Sequence, residues 1–123
     1  MTELEQRRRS VQTALSGHKI DALLVSSPAN VRYLTGYAGT NGLVLVTSSE
    51  THFFTDPRYA LEASASITCK LHIAKGPLVE AVAGIVKRKK LKRIGFEPTW
   101  LNLDQHQKLK DLGYSTQAKK QLF

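Results

Sequence analysis

Strand-sized apolar runs alternate with segments of helical period along nearly the whole chain, and that alternation leaves few folds open to it. Asp21-Ala22-Leu23-Leu24-Val25-Ser26-Ser27 reads as a buried strand. Leu43-Val44-Leu45-Val46-Thr47 and Thr51-His52-Phe53-Phe54-Thr55 flank the polar turn Ser48-Ser49-Glu50, which is a hairpin pattern. Ile67-Thr68-Cys69-Lys70-Leu71-His72-Ile73 alternates like a further strand. Lys92-Arg93-Ile94-Gly95-Phe96-Glu97 reads as another, and the chain from Tyr114 onward begins a last one. Helical segments stand between them. An α/β fold satisfies this order most simply: a mixed β-sheet flanked by helices, three layers in all.

Local punctuation sets the bounds. Glu3 to Ser16 is expected as a first helix, with Leu4, Val11 and Leu15 on one side and Gly17 as its C-terminal stop. Ser27 caps a second helix and Pro28 opens it. That helix is short, because Gly36, Gly39 and Gly42 follow soon after Tyr33-Leu34 and make a loop. Asp56 caps a third helix, with Pro57 in its first turn. In Pro77–Val86 the sets Leu78, Val82, Ile85 and Val79, Ala83, Val86 recur at helical spacing. Asn102-Leu103-Asp104-Gln105 starts a last helix with capping-box-like spacing, and Gly113 closes it.

The length of 123 residues suits one domain, 1–123, able to bury a real core. The longest apolar run, Leu43–Val46, is strand-sized, so no membrane partner is expected. The acidic start Thr2-Glu3-Leu4-Glu5 does not read as a secretory signal. Cys69 is the one cysteine, which excludes an internal disulfide and fits a reducing compartment; the cytoplasm is the expected location. It reads as a small apolar core residue. The net charge of +8 gathers in Arg7-Arg8-Arg9 and in Lys87 to Arg93. Such clusters can meet phosphate backbones, so a basic nucleic-acid-binding module is the alternative reading. The second cluster ends a helix, where cations complement the macrodipole, and at least two of Arg7 to Arg9 should face solvent. A solvated face therefore takes precedence.

Catalytic patterns are missing. His18, His52, His72 and His106 show no paired metal-ligand spacing, and Asp104 and His106 point apart on a helix. His52 and His72 read as hydrogen-bonded structural histidines within strands. No nucleophile elbow occurs, and the three-residue glycine spacing matches no phosphate loop. What stands out is a pair of loops with polar and aromatic residues beside glycines, the composition of a recognition surface. For Asp56 a helix cap is a sufficient account; for Tyr37, Thr40 and Asn41 a simple turn explains less.

Those stretches, Asn30-Val31-Arg32-Tyr33-Leu34-Thr35-Gly36-Tyr37, Gly39-Thr40-Asn41-Gly42 and Thr55-Asp56-Pro57-Arg58-Tyr59, resemble the N-terminal domain of the creatinase, prolidase and aminopeptidase P family. Ile20-Asp21-Ala22-Leu23-Leu24-Val25 and Arg93-Ile94-Gly95-Phe96-Glu97 extend the resemblance over essentially the whole chain. It implies a ribonuclease-H-like fold without that activity. It also implies a parent hydrolase, a Xaa-Pro dipeptidase or Xaa-Pro aminopeptidase, in which two divalent metals, manganese or similar, sit in a C-terminal catalytic domain that this chain lacks. The abrupt apolar end Gln121-Leu122-Phe123 fits a cut at that boundary. No catalytic or metal-binding residue and no cofactor is then expected here. The N-terminal domain would serve homodimer formation and cap the active site. Tyr37, Thr40 and Asn41 are the implied substrate-pocket candidates, with Arg58 as another. No arginine lies between Gly36 and Gly42 to hold a creatine carboxylate, so a Xaa-Pro peptide is the implied substrate.

Overall fold

The computed structural model describes residues 1–39, 41–98 and 101–111, and the backbone of 115–118. Its elements are α1 (Glu3–Ala14), β1 (Ala22–Val25), α2 (Pro28–Thr35), β2 (Leu43–Thr47), β3 (Thr51–Thr55), α3 (Ala60–Ser66), β4 (Lys70–Ile73), α4 (Leu78–Arg88), β5 (Arg93–Phe96), α5 (Leu103–Asp111) and β6 (Ser115–Ala118). Six strands form a single sheet in the order β4-β3-β2-β1-β5-β6. The β1–β2 and β2–β3 pairs are antiparallel, and β1–β5, β3–β4 and β5–β6 are parallel, so the sheet is mixed as expected.

Alternation along each strand divides the core in two. Leu23, Val25, Val44, Val46 and Phe53 face α1, α2 and α3 with Val11, Leu15, Val31, Leu34 and Ala63. Ala22, Leu24, Leu43, Leu45, Phe54 and Ile94 face α4 and α5 with Val79, Val82, Val86 and Leu109. Helices on both faces make β1 and β2 buried throughout, which is why those strands are apolar runs in the sequence.

The capping signals place several helix ends. The Ser27 hydroxyl accepts from the Asn30 amide, Pro28 fills the first turn of α2, and Gly36 ends it at φ 77°. At α5 the Gln105 amide donates to Asn102 Oδ1 over 2.8 Å, and the Asn102 amide donates back to Gln105 Oε1 over 3.2 Å, a reciprocal capping box. The expected stop at Gly113 lies outside the described residues. Two bounds shift. Asp56 caps a 3₁₀ turn, Pro57–Tyr59, before α3 begins, and β4 starts at Lys70, leaving Cys69 half-buried just ahead of it.

Gly17 does not end α1. The chain passes through a 3₁₀ turn, Ser16–His18, and the left-handed residue is Lys19 at φ 58°. The amides of His18 and Ile20 both donate to the Leu15 carbonyl, and Lys19 donates to Ser16. This is a Schellman-type ending, whose apolar contact joins Leu15 and Ile20, both buried against the sheet. Burying that pair decides where the chain turns, and it overrides the glycine.

A carboxylate far away in sequence anchors α2. Glu97, at the end of β5, accepts from the Ser26 and Ser27 amides over 2.7 and 2.9 Å through Oε1, and from Asn30 Nδ2 over 2.5 Å through Oε2. The negative charge sits at the positive end of the helix. This ties Asn30 and Phe96-Glu97 together across the sheet edge.

Candidate functional site

The loop after α2 and the end of β3 meet at one side chain cluster. Asn41 is pinned from two directions: its carbonyl accepts from Thr55 Oγ1 over 2.5 Å, and its Nδ2 donates to Asp56 Oδ2. Asp56 in turn accepts from Arg58 three times, from its amide and Nε through Oδ1 at 2.9 and 3.0 Å and from Nη2 through Oδ2 at 2.9 Å. The Arg58 guanidinium and the Asn41 amide hold the Asp56 carboxyl well below the usual carboxylate range, and Asp56 raises Arg58. A carboxylate so saturated is a poor proton acceptor. Its chemistry is positional: it fixes the orientation of an amide and a guanidinium.

Asn41 also lines a cavity of about 300 Å³ with Gly76, Pro77, Leu78, Asp104 and Lys108. Arg58 is largely exposed and lies 5.3 Å from the Tyr59 ring. Tyr37 is placed differently. Its ring is buried in the core, 5.1 Å from Phe53 and 6.3 Å from Tyr59 between centroids, and its amide donates to Thr35 Oγ1. Thr40 lies outside the described residues. The structure thus joins Asn41 to Arg58 through Asp56 and turns Tyr37 inward beneath them. From sequence Asp56 reads only as a helix cap. The signal for more was its place two residues before an arginine and next to a β-branched hydroxyl, both of which it or its neighbour uses.

Two glycines of the loop have a packing reason. A Cβ on Gly39 would lie 2.0–2.3 Å from the Tyr37 ring atoms, and one on Gly42 would lie 2.7 Å from the Phe53 ring. The loop is drawn onto two aromatic rings, and only hydrogen fits between.

A second polar chain runs through the far face of β3. The buried His52 lies between Glu50 and His72, with Nε2 3.1 Å from Glu50 Oε1 and Nδ1 2.9 Å from His72 Nε2. An ionised Glu50 can only accept, so His52 carries its proton on Nε2 and takes a bond from His72 Nε2–H. Lys70 and Lys89 pair with the same carboxylate and, with His52, hold Glu50 down to about 2. Burial lowers both histidines, and the cations Lys70, Lys89 and Arg88 around them add to the shift. Both histidines are hydrogen-bonded within strands. In the unfolded chain they take up protons below about pH 6.5, whereas the folded pair resists. Stability from this pair is complete above about pH 6.5 and falls as the solution is acidified, with a further loss from Glu50 below about pH 4.5. The melting temperature should therefore drop between about pH 7.5 and pH 5, and His72→Gln should flatten that slope. An unchanged melting temperature across the interval would disprove it.

Cys69 is partly buried, and burial pushes its thiol up, which disfavours the thiolate. Among the described residues no three of His, Cys, Asp and Glu converge on a position that could hold a metal ion. These side chains do not fit a dinuclear metal centre.

The Arg7–Arg9 run is not a free cationic face. Arg8 is buried: its Nε donates to the Leu34 carbonyl over 2.8 Å and its Nη2 to Thr68 Oγ1 over 2.9 Å. Arg7 is half-buried, lies 4.4 Å from the Tyr33 ring centroid and donates to the Tyr33 carbonyl. Of the three, only Arg9 is exposed. The arginines are used to hold α2 against α1, which removes two of the three from a nucleic-acid footprint.

The Creatinase/Prolidase N-terminal domain model matches residues 7–120. The uncharacterized peptidase YqhT of Bacillus subtilis (strain 168) is 35% identical over 79 residues, 63% of this chain and 22% of that protein. A Xaa-Pro dipeptidase from Bacillus anthracis superposes with a TM-score of 0.90 at 24% identity, over 97% of this chain and 34% of its own. An aminopeptidase P, a Xaa-Pro aminopeptidase from Streptococcus thermophilus, superposes at 0.87 with 29% identity, over 98% of this chain and 95% of that one. The N-terminal domain of the cytoplasmic peptidase PepQ from Mycobacterium tuberculosis H37Rv gives 0.82 at 27% identity, over 93% and 91%. The match thus spans about a fifth of YqhT, and about a third of the dipeptidase. No helix among the described residues is long and apolar enough to cross a membrane.

Proposed function

This chain belongs to the creatinase/prolidase N-terminal domain family, and from that premise we propose that residues 1–123 form the non-catalytic N-terminal domain of a Xaa-Pro metallopeptidase. In this reading a C-terminal domain of the same polypeptide holds the divalent metals and performs hydrolysis in the cytoplasm. The present domain supports the homodimer and covers the pocket in which a Xaa-Pro peptide lies.

The Asn41–Asp56–Arg58 clamp is the observation that carries this reading. It gathers two of the family-like stretches at one place, fixes an amide beside a cavity and leaves a guanidinium exposed, the donors a peptide carbonyl or terminal carboxylate would need. Tyr37 enters as the ring on which Gly39 rests, and Thr40 as a further candidate outside the described residues.

Two measurements test it. The purified chain with added manganese should cleave no Xaa-Pro peptide; metal-dependent turnover would overturn the proposal. In the enzyme that contains this domain, Asn41→Leu should lower kcat/KM by about tenfold, the loss of one or two oriented hydrogen bonds, with little change in melting temperature. Wild-type kinetics would remove Asn41 from the pocket.

A further inference from the structure

Four cations outside the clamp and the Arg7–Arg8 packing, Lys19, Lys90, Lys92 and Arg93, lie at the opposite end of the sheet. α1 and α4 each end in the same way and each leads into one of two parallel neighbours, β1 and β5. After α1 the left-handed residue is Lys19 at φ 58°; after α4 it is Lys90 at φ 56°. They are the only non-glycine residues with positive φ among those described. The Ile20 amide closes onto Leu15 and the Leu91 amide onto Val86, so both turns are Schellman-type. Because the strands that follow are parallel, both lysines reach the same edge. Both line one cavity of about 660 Å³, together with Lys92 and Arg93.

That cavity is strongly cationic. Its one carboxylate, Asp21, is already engaged by the amides of Lys92 and Arg93 and by the Arg93 guanidinium. Among the described residues no carboxylate comes within ion-pair distance of Lys19, Lys90 or Lys92. Their ammonium groups are not needed to satisfy the helix ends. The closing carbonyls of Gln12, Leu15, Ser16, Ile85, Val86 and Lys87 already accept amides of the turns themselves. A left-handed position favours glycine, and here lysine occupies it twice beside the same cavity. Ser16, Ser48 and Gln12 add hydroxyl and amide groups to the wall.

We propose that this cavity binds a small polyphosphate, a ligand of two or more linked phosphate groups. Several cations within one cavity call for several negative charges in a comparable volume. Linked phosphates supply that density, whereas neighbouring carboxylates of a peptide lie farther apart. The volume falls in the range of small-molecule sites. The inference is independent of the peptidase reading, since it uses none of the clamp residues.

Titration calorimetry of the chain with tripolyphosphate tests it, at fixed ionic strength. Saturable binding is expected, at least about tenfold tighter than orthophosphate. The double variant Lys19→Gly/Lys90→Gly keeps both turns, so its melting temperature should hold or rise while affinity drops by at least about tenfold. Lys92→Gln, at an ordinary backbone position, should weaken binding too and stands in if the double variant fails to fold. Lys75→Ala, which removes a charge away from the cavity, should leave binding unchanged. The proposal is overturned by the absence of saturable binding, by wild-type affinity in the double variant and in Lys92→Gln, or by an equal loss in Lys75→Ala. It is also overturned if a short DNA duplex binds at this edge and tripolyphosphate does not displace it, which would make the edge a nucleic-acid surface.

Discussion

Phe53→Ala is expected to lower the free energy of unfolding by about 3–5 kcal/mol, a large share of what a domain of this size possesses. Phe53 is fully buried in the centre of β3 and belongs to the core under α1, α2 and α3. Its ring packs on Tyr37 at 5.1 Å and leaves no room for a Cβ at Gly42. Truncation removes the apolar contact and leaves a hole beneath the loop that carries Asn41. Gly42→Ala alone should cost about 1–3 kcal/mol by overpacking. In the Phe53→Leu background the methyl group has more space, and its cost should fall. Urea unfolding of the wild type, the single variants and the double variant measures that coupling. Additive losses would mean that the glycine is there for some reason other than the ring.

Glu97→Ala should be the second most damaging change, at about 2–4 kcal/mol. It strips the Ser26 and Ser27 amides and Asn30 Nδ2 of their acceptor at the start of α2. The effect should be local before it is global. Hydrogen exchange of α2 amides should quicken more than that of β2, which is held by neighbours on both sides. Glu97→Gln keeps an acceptor oxygen but loses the charge at the helix N-terminus, and should cost about 1 kcal/mol. Because the Leu34 carbonyl of α2 receives Arg8, loosening the helix should also release that buried arginine. Uniform exchange across the sheet would refute this account of Glu97.

Much of this architecture is legible in the chain itself, for local physical reasons. Ser27-Pro28 and the Asn102–Gln105 pair announce helix starts because the capping groups are neighbours in sequence. The hairpin is equally plain, since its partners are adjacent and its turn is polar. Gly17 misled for the converse reason: the αL position at Lys19 follows from the burial of Leu15 and Ile20 against Leu23, Val44 and Val46, and that core is assembled from distant strands. At the candidate site the family-like stretches stand out as composition, but their connection does not. Asn41 and Asp56 are fifteen residues apart, and only the pairing of β2 with β3 brings them together.

Sequence alone settled the class of fold, since alternating short apolar runs and helical periods can be buried only as a sheet between helices. It also showed that the familiar catalytic patterns are missing. Tertiary structure decided which polar groups are spent and which are free. At least two of Arg7 to Arg9 are expected in solvent, yet Arg8 is buried under α2 and Arg7 half-buried; Tyr37 reads as a loop aromatic and is a core ring; Lys19 and Lys90 are seventy-one residues apart, yet they line one cavity. A side chain's availability depends on the strand order and on which helix ends the parallel pair β1 and β5 bring to one edge, and those are properties of the assembled sheet.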